Sequence, residues 1–396
     1  MAITEKSRPN PYTSAHEDVF YVISSDNVAQ PNFKYVFDVY IDTSLVARLK
    51  IFPEPNFNLG ICNVGEIVRS YFRNNNFRGQ PPDIFDNSSV PNDGRFTKDI
   101  TIQYGEEYGI PTTTYTNLEN ASGVTVYNYY NDLLYKNIAE SLSIYKNNFL
   151  SSGSVFKNIT LDETFFVYYW NEALVNTSGT VRKYDAAGAL LGTLLITMTT
   201  LNAELVCLSP YPIAIGSSFI NSSVAYYTYT VNNGTISRMM TFTLDCFPKY
   251  AKYNIIFFNQ FGGFDTAQFR MKSSRKIDME RKAFGRTDFR YENTGFILYY
   301  DAHNKILRGD SMTYATKFNH KFHLNTDILN DAEFLWLQQL VASPLVYLEL
   351  YKGTTPYYFP VKILADSYDI KTNRNGSVSN FGMDVQVLQE LNTQFS

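Results

Sequence analysis

The chain has 396 residues, enough for two or three domains of ordinary size. Aromatic residues make up 16% of it and charged residues 18%, which argues against intrinsic disorder and against a coiled coil. Because the formal net charge is only −4, the composition gives no general attraction to nucleic acid or to anionic membranes. These properties predict a β-rich globular protein with a surface suited to binding.

The N-terminal residues lack the apolar stretch of a secretory signal. The longest apolar run, 186–198, is too short to span a bilayer, so no membrane partner is expected. Three cysteines, Cys62, Cys207 and Cys246, lie far apart and show neither a disulfide framework nor zinc-ligand spacing. We expect them to be buried free thiols.

In the N-terminal part, β-branched and aromatic residues predict strands over 18–23 and 33–41, with a hairpin turn within 40–46. A short helix is predicted from about Asn63 to Phe72, because Val64, Ile67, Val68 and Tyr71 form one apolar stripe. Residues 132–145 have weaker helical spacing.

Two similar hairpins recur at 180–192 and 297–308. Each has the motif Tyr-Asp-Ala, followed by Gly188 or Asn304, and then an apolar pair, which is the pattern of a type I turn with a bulge. One interpretation is that β-sandwich modules were duplicated. The other is that both copies simply use a common turn.

In the C-terminal part, a strand over 253–258 ends at Gly262-Gly263, and hairpins are predicted at 346–363 and 367–387. A helix over 330–342 has a possible capping box formed by Asn330 and Glu333. Its predicted buried face comprises Phe334, Leu337, Leu340 and Val341.

Together these elements predict a mainly β fold of several antiparallel β-sandwich or barrel modules with a few short helices. The expected modules are 1–150, with one short helix; 151–247, a central sandwich; and 248–396, which contains a basic arm at 270–290 and the helix at 330–342.

Motifs of common enzymes are missing: the chain has no nucleophile elbow, no phosphate loop and no dinucleotide-binding fingerprint. His320 and His323 could ligate a metal with Asp301 or His303, but a strand at 317–324 would point the two histidines to opposite faces. The adjacent pair Glu106-Glu107 is typical of a solvated loop. The sequence therefore predicts no catalytic residue, no metal site and no cofactor.

The most unusual charge feature is the segment 270–290, whose local net charge is +5. It could be an arm that docks on an adjacent subunit, a solvated hairpin or, least favoured, a nucleic-acid contact. The first hypothesis assigns the interface to eight cations, namely Arg270, Lys272, Arg275, Lys276, Arg281, Lys282, Arg286 and Arg290.

Several motifs along the chain carry a family resemblance. They are Asn10-Pro11 with 19–22, 33–40, 48–50 with Pro53, 64–71, the Phe- and Gly-rich segment 257–265, and Trp336-Leu337 with Leu340, Ser343-Pro344 and Val346-Tyr347. The chain resembles virion proteins of tailed bacteriophages that infect Bacteroidetes. None of these motifs is catalytic, so the resemblance implies a structural component of the tail or baseplate and carries over no site residues.

The resulting expectation is a non-enzymatic subunit of the virion, assembled in the bacterial cytoplasm as a homo-oligomeric ring beside other tail proteins. An alternative is a carbohydrate- or receptor-binding adhesin, and a glycan-degrading enzyme is a third class. The adhesin hypothesis assigns stacking on glycans to five aromatic residues, Tyr129, Tyr130, Tyr168, Tyr169 and Trp170.

Overall fold

A computed structural model shows a mainly β protein, with 56% of residues in strands and 9% in helices, which confirms the predicted fold class. Two compact units are present, residues 1–247 with 257–266 and residues 248–256 with 267–396. The structure describes residues 3–10, 12–76, 89–90, 96–110, 114–115, 119–120, 123–130, 146–172, 174–198, 205–233, 237–245, 248–285, 290–291, 297–298, 300–301, 306–307, 311–353, 355–364, 379–388 and 391–394.

In its described residues, the first unit contains four sheets. Its elements are β1 (Thr4–Ser7), β2 (Thr13–Ser14), β3 (Phe20–Ser24), β4 (Lys34–Ile41), β5 (Ser44–Ile51), β6 (Gly60–Asn63), α1 (Gly65–Asn76), β7 (Ser89–Val90), β8 (Thr97–Tyr108), β9 (Thr114–Tyr115), β10 (Glu119–Asn120), β11 (Val124–Tyr127), β12 (Asn148–Phe149), β13 (Phe156–Ile159), β14 (Val167–Trp170), β15 (Thr177–Tyr184), β16 (Leu190–Met198), β17 (Leu205–Leu208), α2 (Pro212–Ile215), β18 (Tyr226–Asn232) and β19 (Ser237–Leu244). The strand orders are β1-β3-β6, β2-β11-β8-β4-β5 with β9 and β10 also on β8, β12-β14-β17-β7, and β13-β19-β18-β15-β16. Most pairs are antiparallel, whereas β2–β11 and β13–β19 are parallel.

Two hydrophobic clusters form the core of the first unit. One draws its buried residues from positions 15–126, including Tyr35, Phe37 and Phe72, and the other draws them from positions 149–242. Alternation along β4 explains the first cluster, since Tyr35, Phe37 and Val39 occupy every second position and are fully buried. The clusters lie on either side of residue 148, but the division into three modules stays a prediction.

The second unit is built on one eight-stranded sheet. Its elements are β20 (Tyr253–Phe258), β21 (Phe264–Phe269), β22 (Ser274–Gly285), β23 (Arg290–Tyr291), β24 (Ile297–Leu298), β25 (Tyr300–Asp301), β26 (Ile306–Leu307), β27 (Ser311–Leu329), α3 (Asp331–Ala342), β28 (Val346–Lys352), β29 (Thr355–Ile363), β30 (Ser379–Val387) and β31 (Leu391–Gln394). The order is β21-β20-β28-β29-β30-β27-β22, with β31 also on β27, and β23–β24 and β25–β26 form separate pairs. The tip of the β20–β21 hairpin, residues 257–266, is counted with the first unit.

The predicted hairpins are confirmed where the structure describes them. In the β15–β16 hairpin, the Asp185 carboxylate accepts backbone N–H bonds from Ala187 and Ala189, and Gly188 has a φ of +82°. The second copy pairs Tyr300 with Leu307, although its turn lies outside the described residues. Whether the two hairpins arose by duplication stays untested. The hairpin at 346–363 turns at Gly353 as expected, whereas the turn predicted at 373–376 falls outside the described residues.

Two of the three predicted helices are observed. The helix α3 begins at the predicted capping box, in which Glu333 N donates to Asn330 Oδ1 at 2.9 Å and Asn330 N donates to Glu333 Oε2 at 3.0 Å. Its buried face includes Trp336, which the sequence reasoning omitted, whereas Val341 is only partly buried. The helix α1 covers most of the predicted 63–72 stretch, and residues 132–145 lie outside the described part. No helix among the described residues is long and apolar enough to cross a membrane.

The pair Glu106-Glu107 was wrongly placed in a solvated loop. Both residues lie in β8 and are buried. Glu106 accepts hydrogen bonds from Ser25 Oγ and from Asn27 Nδ2, and Glu107 pairs with Lys50 at 2.6 Å. These partners offset the cost of burying two carboxylates, so the pair has a structural role.

The tight turn at 259–263 holds the tip of the β20–β21 hairpin within the first unit. Asn259 Oδ1 accepts from the backbone N–H groups of Phe261 at 3.0 Å and Gly263 at 3.1 Å, while its Nδ2 donates to the Leu150 carbonyl. Gly262 has a φ of +86°, and a Cβ added there would lie 2.4 Å from the Asn128 carbonyl oxygen. This position therefore requires glycine.

Replacing Asn259 with Ala should lower the free energy of unfolding by about 3 kcal/mol, because two buried N–H groups and one carbonyl lose their side-chain partner. Urea unfolding followed by circular dichroism measures the change. The matched control is Asn56→Ala, since Asn56 is exposed and its side chain bonds only to Glu54. Equal losses in the two variants would contradict this account of the turn.

Cys62 should resist alkylation in the folded chain. The residue is fully buried, and burial raises the pKa of its thiol to about 12. The thiol of the folded chain is therefore neutral. Burying this neutral thiol contributes fully to the free energy of unfolding below the ordinary thiol pKa, and the contribution is lost as the pH rises toward 12. Iodoacetamide at mildly alkaline pH, followed by peptide mass spectrometry, should label Cys62 only after unfolding. Rapid labelling of the native chain would refute this.

Candidate functional site

The basic segment predicted as an arm is an edge strand of the second unit's sheet. Twelve residues of β22 pair with β27 in antiparallel register, from Ser274 opposite His323 to Gly285 opposite Ser311. A bulge interrupts the register between Lys282 and Ala283. We call these paired segments, 274–285 and 311–323, the ribbon. Edge strands expose backbone N–H and C=O groups, and lysine side chains on them oppose unwanted edge-to-edge pairing.

One face of the ribbon is charged. Alternation places Lys276, Asp278, Glu280 and Lys282 of β22 on this face, opposite β27 residues that include Lys317 and Lys321. Asp278 contacts Lys321 Nζ at 2.7 Å and Lys276 Nζ at 3.0 Å, and these hydrogen bonds, led by the one from Lys321, lower the pKa of its carboxyl group. Since the pairs are solvent-exposed, they contribute little to folding.

The opposite face carries an apolar stripe. Ile277 lies opposite His320, and Met279 lies opposite Phe318. Ile277 is 46% exposed and Met279 is 54% exposed, which is unusual for large apolar side chains on a strand. We call Ile277 and Met279 the apolar stripe. Three more exposed apolar residues, Phe284, Met312 and Tyr314, lie at the end of the ribbon, where Phe284 pairs with Met312 and shares the face of Lys282. We call these three the end cluster.

The sequence reasoning counted the charges of this segment and missed the stripe. The signal was present in the spacing of Ile277 and Met279, two residues apart within a run of cations. Arg275 and Arg281 share the face of Ile277 and Met279, so the cations divide between the two faces.

The remaining predicted cations lie beside the ribbon or beyond what the structure describes. Arg270 is half-buried and Lys272 is exposed, both just before β22. Only the backbone of Arg290 is described, in β23, and Arg286 lies outside the described residues. Six of the eight predicted cations can therefore be placed with their side chains.

The predicted glycan-stacking aromatics belong to the core of the first unit. Tyr129, Tyr168, Tyr169 and Trp170 are 5% exposed or less, and Tyr130 is partly buried. The ring of Trp170 lies 5.5 Å from that of Tyr127, and further rings enclose it, those of Phe96 and Tyr12. These enclosed rings offer no face to a sugar, so this part of the adhesin hypothesis finds no support in their placement.

The two histidines considered as metal ligands point to opposite faces of β27, as the strand prediction requires. His320 accepts a hydrogen bond from Arg275 Nη2 at 3.1 Å, and His323 Nδ1 lies 2.9 Å from the Asp384 carboxylate. Among the described residues, no group of three metal-ligating side chains converges.

Comparison with known proteins does not identify a family. No protein-family model matches this sequence, and no curated protein sequence is significantly similar to it. The geometry of the ribbon therefore carries the functional argument.

The burial of the tryptophans can be tested by fluorescence. The chain has two, Trp170 and Trp336, and both are buried. Iodide should quench their emission several-fold less in buffer than in concentrated guanidinium chloride, because the charged quencher does not enter the core. Quenching of equal strength in both solutions would show that a tryptophan lies on the surface and would reopen the stacking hypothesis for Trp170.

Proposed function

We propose that this protein is a non-enzymatic structural subunit of a tailed-bacteriophage particle that forms a homo-oligomeric ring in the tail tip or baseplate. The ribbon carries the proposal, and the resemblance of the 33–40 and 257–265 motifs to phage virion proteins supports the assignment to the particle. In this role the ribbon of one copy binds the surface of the next copy.

The apolar stripe supports a contact with another protein. Its two residues are 46% and 54% exposed, and the three residues of the end cluster are between 39% and 47% exposed. Monomeric proteins rarely leave several such residues together, and a mixed patch of apolar and arginine side chains is typical of interfaces. Each buried side chain of this size is worth about 1.5–3 kcal/mol relative to an exposed one.

Charge supports a second copy of this chain as the partner. Residues 1–247 contain 16 Lys and Arg and 23 Asp and Glu, a net charge of −7. Residues 248–396 contain 18 Lys and Arg and 15 Asp and Glu, a net charge of +3. The cationic ribbon of one copy therefore matches the acidic first unit of another.

A contact between two different surfaces joins subunits head to tail. Such heterologous contacts close into a ring when the rotation between subunits permits, and otherwise continue as a filament. A ring is the expected product for a subunit of the tail, whose assemblies surround a central axis.

The experiment compares two ribbon variants of the full chain by light scattering. The first replaces Lys276, Arg281 and Lys282 with Ser, and the second replaces Ile277 and Met279 with Thr. The apolar change should weaken association by about 1–3 kcal/mol at any salt concentration, because it removes buried contact area. The charge change should weaken association mainly at low salt.

The control replaces three exposed cations elsewhere, Lys6, Arg182 and Lys362, with Ser, which changes the net charge equally. If the control variant assembles like the parent chain, the weaker association of the charge variant is due to the position of the cations in the ribbon. A monomeric parent chain at all concentrations, or unchanged assembly in both ribbon variants, would reject the proposed role.

A further inference from the structure

A cavity of about 590 Å³ lies in the second unit where Arg275 begins the ribbon. Its lining comes from the start of β20, from β22 and from the β28–β29 hairpin. The lining includes Lys252, Arg275, Glu349, Tyr351, Lys352 and Tyr357. The volume is within the range of small-molecule sites, which is about 300–1,000 Å³.

Arg275 is held in place within this lining. Its guanidinium carbon lies 5.5 Å from the centre of the Phe322 ring, and its Nη2 donates to His320 Nδ1 at 3.1 Å. Phe322 is itself buried and contacts Tyr253 edge-on. Burial and the Arg275 charge both lower the pKa of His320, which keeps this ring neutral and able to accept the hydrogen bond. The guanidinium is therefore oriented before any ligand arrives.

The lining has more positive than negative charge. Lys252, Arg275 and Lys352 are its cations, and Glu349 is its only carboxylate. The carboxylate of Glu349 already accepts hydrogen bonds from Asn254 Nδ2 at 2.7 Å, and also from the hydroxyl groups of Tyr351 and Tyr358. Among the described residues, no carboxylate lies within ion-pair distance of Arg275 or Lys352, which leaves these two cations for an anion from outside.

Flat aromatic surfaces lie beside the cations. Tyr351 is 39% exposed and Tyr357 is 48% exposed, in contrast to the enclosed tyrosines of the first unit. Exposed tyrosine rings offer a rigid apolar face and a hydroxyl group, which suits a ring-shaped ligand with polar edges.

We propose that this cavity binds an acidic saccharide through a uronic acid residue. Arg275 pairs with the carboxylate, since a planar guanidinium matches a carboxylate with two parallel hydrogen bonds. Lys352 adds charge, and Tyr357 packs against the sugar ring. A phosphate group would meet the same cations, but no helix N-terminus lies in the lining, whose residues belong to strands and one connecting segment. The inference does not rest on the assembly role, although Arg275 also belongs to the ribbon.

The test measures binding of tri-galacturonate to the full chain by isothermal titration calorimetry. Its methyl ester is the matched probe, because esterification removes the charge and keeps the rings. Loss of one charge-assisted hydrogen bond weakens binding by about 10–100-fold. We therefore expect the ester to bind the parent chain, and the acid to bind Arg275→Gln, about 10–100-fold more weakly than the acid binds the parent chain. Tyr357→Ala should weaken binding of both probes by a similar factor.

Arg182→Gln is the matched control, since Arg182 is an exposed arginine outside both the cavity lining and the ribbon. Lys352→Gln, an exposed substitution, tests the site again should Arg275→Gln fail to fold. Equal binding of acid and ester, equal effects of the two arginine variants, or no binding at millimolar saccharide would overturn the proposal. Displacement by uridine monophosphate at lower concentration would assign the cavity to phosphate and also overturn it. Oligomer size measured on the same samples keeps this result separate from the assembly test.

Discussion

The constraint on which the first unit depends is the turn centred on Asn259. One buried amide side chain accepts two backbone N–H bonds and donates to Leu150, so the turn has a single favourable geometry. On either side of the turn, Phe258 and Phe264 contact each other as rings 5.4 Å apart. Thr266 continues the connection, because its hydroxyl bonds both the N–H and the carbonyl of Phe166. A stretch of chain that lies more than ninety positions after Leu150 and Phe166 is thus fastened to both of these residues of the same unit.

Under the proposed function the ribbon has two tasks. Its edge strand must not pair with other strand edges, and the ribbon must still present a surface to the next copy. Strand alternation separates these tasks, with Lys276, Asp278 and Lys282 on one face and Ile277 and Met279 on the other. The charged face holds internal pairs that need no partner, whereas the apolar face gains from being covered. At its base, Arg275 belongs to neither task, because Phe322 and His320 hold it in the lining of the cavity.

Local signals predicted local structure well. The capping box of Asn330 and Glu333, together with the Asp185–Gly188 turn, depends on residues a few positions apart, and both appear as expected. The exposure of side chains was not predictable in the same way, because the rings that enclose Trp170 come from positions more than forty residues earlier in the chain. The cavity was not predictable either, because its lining joins three separate stretches of sequence. Nor was the grouping of residues 257–266 with the first unit, which depends on contacts distant in sequence. The apolar stripe could have been found, since its spacing is local.

The two-residue alternation of the ribbon also limits how this gene segment can change in length. A single-residue insertion before Ile277 would move every later side chain of β22 to the opposite face and exchange the apolar stripe for lysines. Insertions of two residues would preserve the faces, and in β27 the bulge opposite Lys282 and Ala283 already absorbs one extra residue, Tyr314. Natural length variation in homologous genes should therefore occur in steps of two codons along β22.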